Sequence, residues 1–202
     1  MSRDMFESAL AEIRMVYEEH PALCEFLAFP SDVVWQAQEP HITPPALLMA
    51  QDESLETSLY KTLKDALISA GPHAKWRETY KGTNIGEDFL RRFGCYELFG
   101  LDGHFACQST RGFLVYSPGG LYYPWHHHPA EEMYLIIAGE AEFATEGNAP
   151  KLLKPGDTVF HKENQPHNML TLEKGVLAWV QWRGELTVPP VLTDRLNEVG
   201  QA

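Results

Sequence analysis

The chain has 202 residues, 44% of them apolar and 22% charged, and a formal net charge of -12. That length suits one domain able to bury its own core. No apolar run approaches the roughly 20 residues that cross a bilayer, and the lack of Lys and Arg clusters excludes nucleic acid as a partner.

The N-terminus, Met1-Ser2-Arg3-Asp4-Met5-Phe6-Glu7, mixes charges and lacks the apolar stretch of a secretion signal, which predicts a cytoplasmic protein. In chain order, Phe6, Leu10, Ile13 and Tyr17 fall on one helical stripe with Ser2 as N-cap. Residues 21–45 are proline-rich and read as irregular. A second helix is expected along Leu55, Leu59, Leu63, Ala66 and Leu67, entered through Asp52 and Ser54 and stopped by Gly71-Pro72. A shorter one is expected from Glu87 to Phe93, closed by Gly94.

From about Phe105 the texture changes to short β-rich pieces separated by Gly and Pro. These are Gly112 to Tyr116, Leu121 to His128, Glu132 to Ala138, Ala141 to Thr145, Lys151 to Leu153, Thr158 to His161, Asn168 to Leu172 and Val176 to Trp182. Closely spaced short strands predict a β-sandwich or barrel. The expected organisation is a helical extension over residues 1–104 packed on a β-barrel domain over residues 105–202. Cys24, Cys95 and Cys107 are odd in number and make no CxxC pair, so buried or half-buried free thiols are expected.

The stretch richest in chemistry is Gly120-Leu-Tyr-Tyr-Pro-Trp-His126-His127-His128-Pro-Ala-Glu131-Glu132-Met-Tyr134-Leu-Ile-Ile-Ala-Gly139. Side chains alternate along a strand, so His126 and His128 share one face, and Glu132 and Tyr134 share one on the next strand. His127 falls between and faces away. Two imidazoles and a carboxylate brought to one point suit a divalent transition metal such as Zn, Fe(II), Mn, Ni or Co. His167, after the turn-like residues 162–166, is the expected fourth ligand. His20, His41, His73, His104 and His161 are read as surface or core residues.

The spacing Gly120-x5-His126-x-His128-x3-Glu132-x6-Gly139 resembles the first motif of the cupin superfamily throughout. Gly156 and His167 stand where the second motif has its glycine and histidine, while Lys162, Asn164 and Thr171 replace its proline, second glycine and asparagine. The resemblance covers about residues 110–182. It implies a mainly β, jelly-roll-like cupin barrel, here with an N-terminal α-helical extension.

Tyr122, Tyr123, Trp125, Tyr134, Trp179 and Trp182 lie around the motif. With them, the chain resembles the cupin-type dimethylsulfoniopropionate (DMSP) lyases of the DddQ type, with the DddL type as a near relative. That resemblance implies β-elimination of DMSP to dimethyl sulfide and acrylate. It further implies His126, His128, Glu132 and His167 as metal ligands, Tyr134 as base, and Tyr123 and Trp182 as pocket residues. Strand parity instead favours Tyr122 as the inward tyrosine. An Fe(II) dioxygenase or a non-catalytic ligand-binding cupin would use the same ligands. The expected partner is a small zwitterion, with a homodimer compatible with the sequence.

Overall fold

The computed structural model describes residues 2–194. The helices are α1 (Ser2–Glu19), α2 (Pro21–Phe26), α3 (Pro44–Gln51), α4 (Lys61–Ala70) and α5 (Glu87–Arg92). The strands are β1 (Val34–Trp35), β2 (Gly94–Gly100), β3 (Phe105–Ala106), β4 (Arg111–Ser117), β5 (Tyr122–His127), β6 (Glu131–Gly139), β7 (Ala141–Thr145), β8 (Lys151–Leu153), β9 (Thr158–His161), β10 (His167–Leu170), β11 (Val176–Arg183) and β12 (Val191–Leu192). They form a seven-stranded sheet, β1-β3-β2-β4-β11-β6-β9, and a five-stranded sheet, β12-β5-β10-β7-β8. This is the mainly β cupin barrel with helical extension that the motifs implied.

Strand alternation divides the apolar residues into two cores. On β6, Leu135 and Ile137 pack outward with Leu177 and Trp179 of β11, against Phe6 and Ile13 of α1 and Leu63 and Leu67 of α4. The intervening Tyr134 and Ile136 point inward with Val180 and Trp182 to fill the barrel. A strand covered on both faces reads as an unbroken apolar run, as residues 133–138 do. Fully burying each such aliphatic side chain contributes about 1.5–3 kcal/mol, so the helices are held on the sheet's outer face by their apolar stripe.

Several expectations shift. Ser2 is already helical. The second helix begins at Lys61 rather than near Leu55, because Asp52 accepts from both the backbone N–H and the hydroxyl of Ser54, and Thr57 accepts from the Tyr60 N–H. Such side-chain turns compete with helix formation. A short helix, α2, lies where irregular chain was expected, and another, α3, starts at the end of that stretch, each with proline in its first turn, where a missing N–H costs nothing. The seven-stranded sheet also takes in residues on both sides of position 105, through β1 and β2.

Among the described residues no helix is long and apolar enough to cross a membrane. All three cysteines are free, Cys107 buried and Cys95 half-buried as expected, but Cys24 is exposed.

Candidate metal centre

Two cross-strand rungs face each other inside the barrel. In the five-stranded sheet His126 of β5 pairs with His167 of β10. In the seven-stranded sheet Glu132 of β6 lies between Trp182 of β11 and His161 of β9. His128 sits in the turn joining β5 to β6. All of these side chains are buried.

The histidine tautomers follow from their backbone contacts. Nδ1 of His126 bonds the Pro124 carbonyl at 2.8 Å, Nδ1 of His128 that of Ala130 at 2.9 Å, and Nδ1 of His167 that of Gln165 at 2.9 Å. A carbonyl oxygen only accepts, so each Nδ1 carries the proton and each neutral ring keeps its lone pair on Nε2. Ligating histidines are oriented this way.

Three of the atoms so presented are buried without a hydrogen-bond partner: Nε2 of His128, Nε2 of His167 and Oε2 of Glu132. Oε2 lies 3.4 Å from the first nitrogen and 3.1 Å from the second. The ligand atoms of these three residues all fall within 4.8 Å of one another. Lone pairs gathered in a dry interior need a cation between them. The N/O donor set fits a divalent transition metal. His126 stands beside this trio, its ring centroid 4.1 Å from that of His167.

The carboxylate is already oriented. Trp182 Nε1 donates to Glu132 Oε1 at 2.7 Å, which leaves Oε2 directed at the imidazoles. Burial alone would raise the Glu132 pKa, but positive charge on His128 and then on His167 would outweigh it and hold the carboxyl well below the usual range, as a cation bound between neutral rings would. His128 is correspondingly raised, Glu132 overcoming the effect of burial. Burial, and next the neighbouring His167, push His126 well below the ordinary imidazole value. Tyr134 lies two residues along β6 from Glu132, on the same inward face. With Glu132, Trp182 and Tyr123 it lines a pocket whose other walls are largely apolar. Burial, followed by the Glu132 charge, raises its phenol well above 10.

The dimethylsulfoniopropionate lyase family model matches residues 30–178. The chain belongs to the DMSP lyase family. It is 48% identical over 194 residues to dimethylsulfoniopropionate lyase DddQ of Ruegeria pomeroyi (strain DSS-3), an alignment covering 96% of each chain. The crystal structure of that DddQ superposes with a TM-score of 0.92 at 47% identity, over 94% of this chain and 96% of that one. A structure reported with the DMSP lyases RdDddP and RnDddQII also gives 0.92, at 36% identity, over 96% of this chain and all of its own.

Within this lyase fold the parity expectation for the tyrosines fails. Tyr122 is 46% exposed on the outer side, whereas Tyr123 is buried and lies flat on His126, with centroids 3.8 Å apart and ring planes 10° apart. The cause is a register shift. From His167 to Met169 strand β10 advances two residues, while its partner β5 runs three, from His126 to Tyr123. A bulge at Pro124-Trp125 accommodates the extra residue, in the kind of place where a strand tolerates proline. Tyr123 and His126 therefore share a face despite their odd spacing. His127 turns away from the centre and bonds Thr193 Oγ1 through Nδ1.

The degraded second motif keeps its loop. Asn164, standing where the glycine was expected, has φ 54°, the left-handed region that Asn visits more readily than other side chains. Its N–H donates to the His128 carbonyl at 2.8 Å, and the next residue supplies the carbonyl that orients His167. One turn thus positions two of the three converging donor residues.

His161, read from sequence as a surface or core residue, is fully buried and stacks on His167 at 3.9 Å and 8°. Its lone position near the end of a short strand gave no signal. Only its pairing with Glu132 across β6 and β9 reveals it.

Proposed function

We propose that this chain cleaves DMSP to dimethyl sulfide and acrylate by β-elimination at the pocket beside Glu132, with His126, His128, Glu132 and His167 as ligands of one divalent transition metal. The observation that carries the metal assignment is the convergence of three buried, unpartnered donor atoms on histidines whose Nδ1 protons are already committed to carbonyls. Membership of the DMSP lyase family supports the substrate.

A bound metal would supply positive charge to offset the negative charge that builds when a proton leaves the carbon next to a carboxylate. Tyr134 takes that α-proton on its phenolic oxygen. To do so it must enter as phenolate, its own proton given up to solvent beforehand; burial and the Glu132 carboxylate disfavour that form, and a bound cation would favour it. As the proton transfers, the C–S bond breaks with its electron pair on sulfur and the α,β double bond of acrylate forms. Dimethyl sulfide leaves neutral, so no general acid is required.

Tyr123 lines the pocket with its hydroxyl held by Tyr80 at 2.8 Å and its face on His126. Trp182 keeps Glu132 aligned and offers an aromatic surface to the sulfonium, an interaction worth about 0.5–2 kcal/mol. The pocket's apolar walls exclude water from the reacting carbon. Purified, metal-loaded protein incubated with DMSP under nitrogen should release dimethyl sulfide and acrylate in equal amounts. Product formation that requires oxygen would replace elimination with an oxidative reaction.

A further inference from the structure

The inner pocket has one charged wall that the metal centre does not explain. The segment around Arg77 runs along β2, its N–H donating to the Cys95 carbonyl at 2.9 Å. Two positions further on, β2 carries Glu97, which is buried. That carboxylate is held on both oxygens by Arg111, from Nε to Oε1 at 2.9 Å and from Nη2 to Oε2 at 2.6 Å. Arg77 stands behind this pair, its Nη1 3.5 Å from Glu97 Oε2 and its guanidinium carbon 5.2 Å from the Phe113 ring centroid.

Two guanidinium groups therefore share one buried carboxylate. Asp102 approaches Arg111 at 3.6 Å, but its side chain is 68% exposed and its charge is screened by water. The surplus positive charge falls on Arg77. Arg77 borders both the inner pocket, with Glu132, Tyr134 and Trp182, and an outer cavity shaped by Tyr80, Phe89 and Leu90. Thr79, Phe93 and Cys95 are common to the two, so Arg77 lies at their junction. Among the described residues lining the inner pocket, it is the one cation.

We propose that Arg77 binds the carboxylate of the incoming substrate, so that the pocket selects short carboxylate-bearing zwitterions over simple sulfonium cations. This rests on the lyase reading. A chain of net charge -12 repels anions at long range, and a fixed guanidinium fork is the group that restores carboxylate recognition locally. A carboxylate has two acceptor oxygens, so contact with Arg77 leaves one free for the centre. By holding the anionic end, Arg77 turns the sulfonium towards the aromatic wall.

The test uses metal-loaded full-length protein, with propanoate as an unreactive carboxylate and trimethylsulfonium as a cation lacking one, both titrated calorimetrically. Arg77→Gln should weaken propanoate binding about tenfold or more, as for loss of a charge-assisted hydrogen bond at a partly buried site. Trimethylsulfonium should bind it as well as or better than wild type. KM for DMSP should rise by more than kcat falls. Arg111 still satisfies Glu97, so metal content and Tm should be retained.

Wild-type propanoate affinity in a metal-loaded Arg77→Gln protein would overturn the proposal. If that variant loses metal or fold, Arg77→Lys decides. It keeps the charge but not the fork, and propanoate binding should weaken by about threefold or more, whereas unchanged binding overturns the idea. Arg77-dependent propanoate binding in a wild-type protein that releases no dimethyl sulfide would sink the lyase reading and leave the carboxylate site standing.

Discussion

Trp182 and Glu132 face each other across the β6–β11 pair, and the indole Nε1 donates a 2.7 Å hydrogen bond to Oε1 of the carboxylate. The indole thereby decides which carboxylate oxygen is offered to His128 and His167. Trp182→Phe keeps the ring's bulk but frees the carboxylate to rotate. Metal affinity should fall about tenfold or more, as for other outer-shell partners, with little change in Tm of the metal-stripped protein. Competition with a chelating dye measures the first and thermal unfolding the second.

Tyr134→Phe removes one oxygen from the pocket and touches no metal donor. Metal content and fold should stay at wild-type levels, while turnover should drop by about 100-fold or more, the scale of a lost general base. Acrylate release close to wild type would remove Tyr134 from the reaction.

Asn164 is held at φ 54° with its N–H on the His128 carbonyl. Glycine adopts this conformation freely, so Asn164→Gly should change stability by less than about 0.5 kcal/mol. A β-branched residue does not. Asn164→Val should cost roughly 1–2 kcal/mol and loosen metal retention, since the same turn orients His128 and His167. Urea denaturation and metal analysis of the two variants separate the effects.

His104 couples the helical layer to pH. Its ring stacks on Phe6 with centroids 3.7 Å apart, and its Nε2 accepts the Lys75 N–H at 3.2 Å. Burial first, and nearby Lys75 second, lower its pKa to about 4. Above the ordinary value of about 6.5, both folded and unfolded chains carry the neutral ring. As pH falls towards 4, the unfolded chain takes up a proton that the folded chain refuses, and stability declines. His104→Gln keeps an acceptor without titrating. Its Tm should fall less than that of wild type between pH 7 and pH 5, and parallel profiles would contradict this.

Much of the centre was legible because strand alternation and fixed spacing carry it. His126, His128 and Glu132 sit inside a motif whose intervals are kept, and strands β7, β8 and β9 match their expected limits. The inward tyrosine was not legible, because a single extra residue at Pro124-Trp125 reverses parity beyond it. The surroundings of His161 and Arg77 were not legible for a different reason. Each acquires its meaning from a partner on another strand, Glu132 for one and Glu97 for the other, and no short-range pattern records that pairing. Strand β2 was hidden likewise, since Glu97 in its middle looks like a surface residue until Arg111 is placed against it.

In the proposed reaction, metal held by His126, His128, Glu132 and His167 is what allows this chain to break the C–S bond of DMSP. Dimethyl sulfide release, followed by gas chromatography for the protein as purified, after chelation, and after reloading with each candidate metal, tests it most directly. Release should be abolished by chelation and restored by at least one divalent transition metal. Undiminished release from fully chelated, metal-free protein would contradict it.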